Sequence, residues 1–322
     1  MRLMASNDLP QLLFVNFHYI RDASAYRYPG IHPLSPDIFE RQIASLKDLF
    51  HIAEPGEVEE FFMNGRLFTR PSIFITFDDG LVDHWRAARD VLNPLGIKAA
   101  FFVCSRPAVE GRALTVHKIH WLRAHTDPAD FTEELFSYLP ANQYQSGQEP
   151  WSAAAARMYI YDTPQIARLK FALNFILPSD VIDDVTSRML VARNIDERAF
   201  CHQTYMPDDQ LRTLTEQGHV IGLHGHSHTP FLRLGNSVFP EVKQNYDYIS
   251  RVCGSPPQWI SYPNGRDDAI PNGETLQELF TSFDLRLGFT TLGAWNDGSE
   301  NRMRLNRINN NEVTKILDQA QS

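Results

Sequence analysis

Short runs of β-branched and aromatic residues recur along this chain, and each is followed by apolar side chains at helical spacing, a pattern that fits alternating strands and helices. Leu12 to His18 reads as a buried strand, after which Ser35-Pro36 offers a cap and first-turn proline to a helix carrying Ile38, Phe39, Ile43, Leu46 and Leu49. Strand Ile73–Phe77, helix Val82–Leu92 and strand Lys98–Val103 follow. The alternation resumes with helix Asp208–Gln217, strand Val220–Leu223, helix Pro240–Cys253, strand Gln258–Tyr262, helix Glu274–Phe283 and strand Leu287–Thr291, and a last short strand is expected over Arg304–Ile308. Residues 106–206 do not alternate. They hold helical patterns (Val116–Ala124, Asp130–Leu139, Pro164–Leu177, Val181–Ala192) around the polar run Asn142–Pro150, which predicts a helical insertion in one α/β barrel domain spanning 1–322.

Composition narrows the function classes. Hydrophobic residues at 43% leave no case for a disordered chain, and a net charge of −9 excludes a nucleic-acid binder of the ordinary basic kind. Cys104, Cys201 and Cys253 form no CxxC pair and are expected to be reduced, packed thiols. The apolar stretch Leu12–Val15 is too short for a signal-peptide core or a membrane span, so a cytoplasmic address is expected. No GxGxxG or P-loop pattern supports a nucleotide cofactor.

Three clusters follow predicted strands. Asp78-Asp79-Gly80 puts two carboxylates at a strand end, where successive side chains point to opposite faces and could divide metal binding from proton transfer. Acidic residues there equally suit the N-terminus of the next helix. His224-Gly-His226-Ser-His228 gathers three imidazoles; His224 and His228 share a side in either helix or strand, whereas His226 joins them only in an extended segment. A histidine pair beside a carboxylate suits a divalent transition metal with open positions. In Ser261-Tyr262-Pro263-Asn264-Gly265, proline and glycine set a tight turn whose amides could face an oxyanion, although a plain turn also accounts for it.

Thr76-Phe-Asp-Asp-Gly80, Ile221-Gly-Leu-His224 followed by His228, and Tyr262-Pro-Asn-Gly265 resemble the first three motifs of the NodB-type polysaccharide deacetylases, carbohydrate esterase family 4. The resemblance covers roughly residues 10–105 and 207–310 and implies a distorted (β/α)7 barrel. It implies that Asp79, His224 and His228 bind a divalent metal, zinc before cobalt, nickel or manganese, that Asp78 is the general base, and that the Asn264 N–H, with Tyr262 in the same loop, serves the oxyanion or substrate.

Two departures stand out. Where the family has an arginine two residues before the motif's proline this chain has Ser261, and Arg307 is the candidate replacement partner for the base, although a surface or structural salt bridge explains it equally. No histidine follows His228. Some members look circularly permuted, with the late histidine on the first strand, and Val15-Asn-Phe-His18-Tyr19 resembles their segment, which makes His18 the candidate general acid. His117, His120, Tyr159 and Tyr161 of the insertion could line a cleft, although core or surface duty explains them too.

The activity implied is removal of an acetyl or formyl group from an amido sugar of a surface polysaccharide or lipopolysaccharide precursor, linked to nucleotide, lipid or polysaccharide. The alternatives are hydrolysis of a small non-sugar amide, as in allantoin-type relatives, and a non-catalytic glycan binder. No nucleic-acid partner or membrane span is expected, and the oligomeric state is not implied.

Overall fold

Strands β1 (Leu12–Phe17) and β3 (Ser72–Phe77) are buried along their whole length, and in the computed structural model they pair in parallel from Leu12↔Ser72 to Phe17↔Phe77. The structure describes residues 11–28, 30–140, 150–160 and 162–321. With β2 (His51–Ile52), β4 (Ala99–Val103), β5 (Val220–Leu223), β6 (Trp259–Ser261), β7 (Leu287–Phe289) and β8 (Arg307–Asn309) they form one parallel sheet in the order β7-β6-β5-β4-β3-β1-β8, with β2 beside β3. The ends of the sheet approach where Leu305, just before β8, pairs with β7: Thr290 N–H donates to Leu305 O at 2.8 Å and Leu305 N–H to Gly288 O at 2.7 Å. This is a distorted (β/α)7 barrel. Gly288 permits the closure, because a Cβ there would lie 2.5 Å from the Tyr262 hydroxyl and 2.6 Å from Met303 O.

Pleating sorts the strand residues. Leu13, Val15, Phe17, Ile73, Ile75 and Phe77 pack outward on helices, whereas Leu12, Phe14 and Phe74 join Phe102, Trp259, Phe289 and Leu305 in a separate interior cluster. Extending the interior set toward the strand ends brings in Asn16, Thr76 and then Asp78. The barrel's polar floor is therefore dictated by a two-residue period.

The helix Pro36–Leu49 starts as expected, with Ser35 Oγ accepting from Ile38 N–H, and it buries Phe39, Ile43 and Leu46 while Ile38 stays exposed. The expected single helix Val82–Leu92 is α-helical over Val82–Ala87 and π-helical over Ala88–Leu92. Among the elements not anticipated are β2, the helix Pro55–Asn64 and the helix Val313–Gln321. Pro55 fits a first helical turn, and Glu57 closes it by accepting from Glu54 N–H at 3.0 Å.

The chain divides into two compact units, a barrel unit within 1–22, 33–110 and 202–322 and a helical unit within 23–32 and 111–201. The helical unit takes in 23–32 as well as most of the stretch between β4 and β5, and Tyr28 N–H donates to Ala124 O within it. Leu122, Phe131, Leu135, Leu169, Met189 and Leu190 make its core. Its buried Lys118 amine is matched by Asp183 at 2.6 Å and Ser187 at 2.8 Å. Among the described residues no helix is long and apolar enough to cross a membrane. Cys104, Cys201 and Cys253 are free thiols.

Candidate active site

Asp78 continues the β3 pleat, its N–H donating to Phe17 O at 3.2 Å, so its carboxylate points into the barrel. There it meets Arg307. The guanidinium is fully buried; its Nη1 donates to Asp78 Oδ1 at 2.9 Å and its Nη2 to Oδ2 at 2.8 Å, the two-pronged geometry that carboxylates bind best. Arg307 sits on β8 opposite Phe14, and its guanidinium lies beside the rings of Phe102 and Phe289. Its Nη2 also donates to Ser261 Oγ at 2.8 Å and its Nε to Thr290 O at 2.9 Å. The side chain that replaces the expected arginine thus becomes an acceptor for Arg307. Asn16 Nδ2 donates to Asp78 Oδ2 at 2.9 Å. Burial pushes the Asp78 carboxyl up, but the Arg307 charge and hydrogen bonds, with His224 and His18, outweigh it and hold Asp78 well below the usual carboxylate range.

Asp79 leaves the pleat. It adopts φ 82° and Gly80 φ 72°, two successive left-handed residues that turn the chain and aim the Asp79 carboxylate away from Asp78. A Cβ on Gly80 would lie 2.9 Å from Val103 Cγ1, so glycine is required by space as well as by backbone. Asp79 Oδ1 lies 3.4 Å from His224 Nε2 and 3.2 Å from His228 Nε2. One ligand atom from each of the three residues lies within 4.8 Å of the others.

His224 follows β5 and donates Nδ1–H to Ser261 O at 2.8 Å, which leaves its Nε2 lone pair facing Asp79. Its backbone N–H is held by Asn245 Oδ1 at 2.9 Å. Burial pushes the His224 imidazole down, but Asp78 and Asp79 draw it above its ordinary value: two carboxylates demand positive charge here. Gly225 (φ 76°) and His228 (φ 64°) curl the segment, and Glu241 Oε1 accepts from both Ser227 N–H and Oγ, at 2.6 and 2.8 Å. The segment is not extended. His226 accordingly turns elsewhere, bonding Ser105 Oγ and Glu110 Oε1, each at 2.9 Å.

In the third loop Asn264 has φ 66° and its carbonyl accepts from Thr291 Oγ1 at 3.0 Å. Tyr262, expected to serve the oxyanion or substrate, follows β6. Its N–H donates to Phe289 O at 3.1 Å and its hydroxyl to Met303 O at 2.7 Å, so both donors are engaged within the barrel and the ring is buried. His18 follows the β1 residue Phe17, paired with Phe77, as Asp78 follows Phe77, so the two sit at the same level of adjacent strand ends. His117 and His120 lie on the helix Thr115–His125 of the helical unit, with ring centroids 6.3 Å apart. Tyr159 accepts from Asn174 there, and Tyr161 lies outside the described residues. Two partners escaped the sequence reading, Asn16 and the Ser261 carbonyl; for Asn16 the signal was an amide within an otherwise apolar strand.

Comparison with solved structures shows the same fold. The Streptococcus pyogenes deacetylase PplD, in complex with acetate, is similar at TM-score 0.59 and 16% identity over 98% of this chain and 100% of that one. IcaB from Ammonifex degensii is similar at 0.56 and 14% over 97% and 98%, and the BpsB deacetylase domain from Bordetella bronchiseptica at 0.53 and 13% over 95% and 98%. Comparison with curated proteins returns no match. The sequence profile of the polysaccharide deacetylases matches residues 66–144 and 185–279, more than half of the chain and a span that includes the aspartate pair, the histidine pair and the third loop, and the protein belongs to that family.

Proposed function

We propose that this protein is a metal-dependent hydrolase that removes an N-acyl group, acetyl before formyl, from an amido sugar of a polysaccharide or its precursor. The observation that carries the reading is the contrast between Asp78, clamped by a buried arginine, and Asp79, turned toward two imidazole nitrogens. Asp79, His224 and His228 would hold the ion. One carboxylate and two imidazoles suit zinc, with cobalt, nickel or manganese as alternatives, and they leave positions open. A bound divalent ion supplies Lewis acidity, lowering the pKa of water from ~15.7 toward ~7 and polarising the acyl group.

Asp78 takes the proton of the attacking water. Its Oδ2 carries two donors and its Oδ1 one, so Oδ1 keeps a lone pair for that proton. Arg307 fixes the carboxylate's plane and keeps it ionised, so that it can accept a proton. The Asn264 N–H helps hold the oxyanion, a contribution of about 3–4 kcal/mol to the barrier. His18 then protonates the departing amine. The experiment is dialysis of the protein against a chelator, followed by assay of free-amine release from an N-acetylated amido-sugar oligosaccharide. Activity should vanish and return with zinc or cobalt; full turnover by metal-free protein refutes the reading.

A further inference from the structure

The side chains of one short helix hold the turn that begins at His18. The helix Val82–Ala87, which follows the Asp78-Asp79-Gly80 turn directly, carries Asp83 and His84, neither of which caps its N-terminus. His84 Nε2–H donates to the His18 carbonyl at 2.9 Å. Asp83 Oδ2 accepts from Ile20 N–H at 3.0 Å and from Arg21 Nε at 2.7 Å, and its Oδ1 accepts from Arg21 Nη2 at 2.9 Å. Leu34 N–H donates to Tyr19 O and Arg21 N–H to Leu34 O, which closes the turn from the other side.

Both anchoring side chains are buried, His84 beside the rings of Phe77 and Phe101. A buried carboxylate is costly unless its charge and lone pairs are met, and here a segment more than sixty residues earlier in the chain meets them. Since His84 donates from Nε2, it is the neutral tautomer with an unprotonated Nδ1. Its Nδ1 is buried without a hydrogen-bond partner, so protonating it would add an unsatisfied N–H.

We propose that Asp83 and His84 are positioning residues for His18, locking its backbone at the level of Asp78 so that its imidazole meets the leaving nitrogen. The inference rests on the reading of His18 as the proton donor. In that step the C–N bond breaks, its electron pair stays on nitrogen, and nitrogen takes the proton of the His18 imidazolium. A leaving group that departs as a stable anion needs no such proton.

The test therefore uses two substrates on the zinc-loaded full chain: an N-acetylated amido-sugar oligosaccharide and 4-nitrophenyl acetate. His18→Ala should lower kcat on the amide by ~100-fold or more and change ester turnover by less than ~3-fold. His84→Leu should show the same selectivity at about 10-fold or more, with KM within ~2-fold, because small misplacements of reacting groups cost rate. His84→Gln, which returns an N–H donor at the position of Nε2, should recover the amide rate to within ~3-fold. Asp83→Asn should also lose amide turnover selectively, and it replaces His84→Leu if circular dichroism finds that variant unfolded. Equal loss on both substrates, or loss on neither, in the folded positioning variants while His18→Ala stays selective overturns this inference alone. A non-selective His18→Ala overturns the proton-donor reading beneath it.

Discussion

Asp78 and Asp79 are adjacent in sequence, identical in chemistry and nearly equally buried, yet they occupy opposite electrostatic regions. Asp78 stays on the strand pleat and meets a permanent cation, Arg307, with Asn16 beside it. Asp79 turns through a left-handed backbone and meets two imidazoles, those of His224 and His228. Under the proposed function the first is the base and the second a metal ligand. The left-handed turn at Asp79 and Gly80 separates the two environments.

The largest expected effect tests that division directly. Asp79→Ala should abolish both zinc retention, measured by elemental analysis after gel filtration, and turnover. Asp78→Asn should keep the full zinc content and lose about 10²–10⁴-fold in kcat. If the asparagine variant also sheds its metal, the two carboxylates are not separate.

Next in size is Arg307→Met, which leaves Asp78 buried without its cation. We expect a loss of about 3–5 kcal/mol in chemical denaturation. A loss below ~1 kcal/mol would mean that the Asp78 region does not depend on the arginine.

The third expectation concerns acid. Burial drives His84 from 6.5 to about 4, against the pull of Asp83 and of its bond to His18, so the unfolded chain binds this proton first. The stability tied to neutral His84 is complete above pH 6.5 and is lost as pH falls toward 4, by roughly 3 kcal/mol. His219, also driven down to about 4 by burial, adds to the loss. Asp78 does not, because its pKa is lowered from 3.8 and its contribution fades only below that value. Urea titrations at pH 7 and pH 4.5 should show His84→Gln losing less stability than the parent; an unchanged difference contradicts this.

Legibility in the sequence followed the range of the interaction. The strand at Ile73–Phe77, the Ser35 cap and the helix ending before Gly254 came from periodicity and local chemistry, which act within a few residues. The His224–His228 spacing also carried its geometry. The helix Pro55–Asn64 did not, because Pro-Gly suits a turn and a helix start alike, and burial of Val58 and Phe61 decided between them. Nor does anything local reveal that the Tyr262 hydroxyl reaches Met303.

By itself the sequence determined the alternation that builds a parallel barrel, the identity of its polar strand ends and the two carboxylates with two spaced imidazoles. Only the tertiary structure decided which charges meet. Arg307 reaches Asp78 across 229 residues, Ser261 accepts from that arginine, and Asp83 and His84 hold the turn beginning at His18. The reason is physical: periodicity acts through the neighbouring backbone, whereas a buried ion pair exists only once barrel closure brings β8 beside β1 and excludes the water that would otherwise solvate each charge.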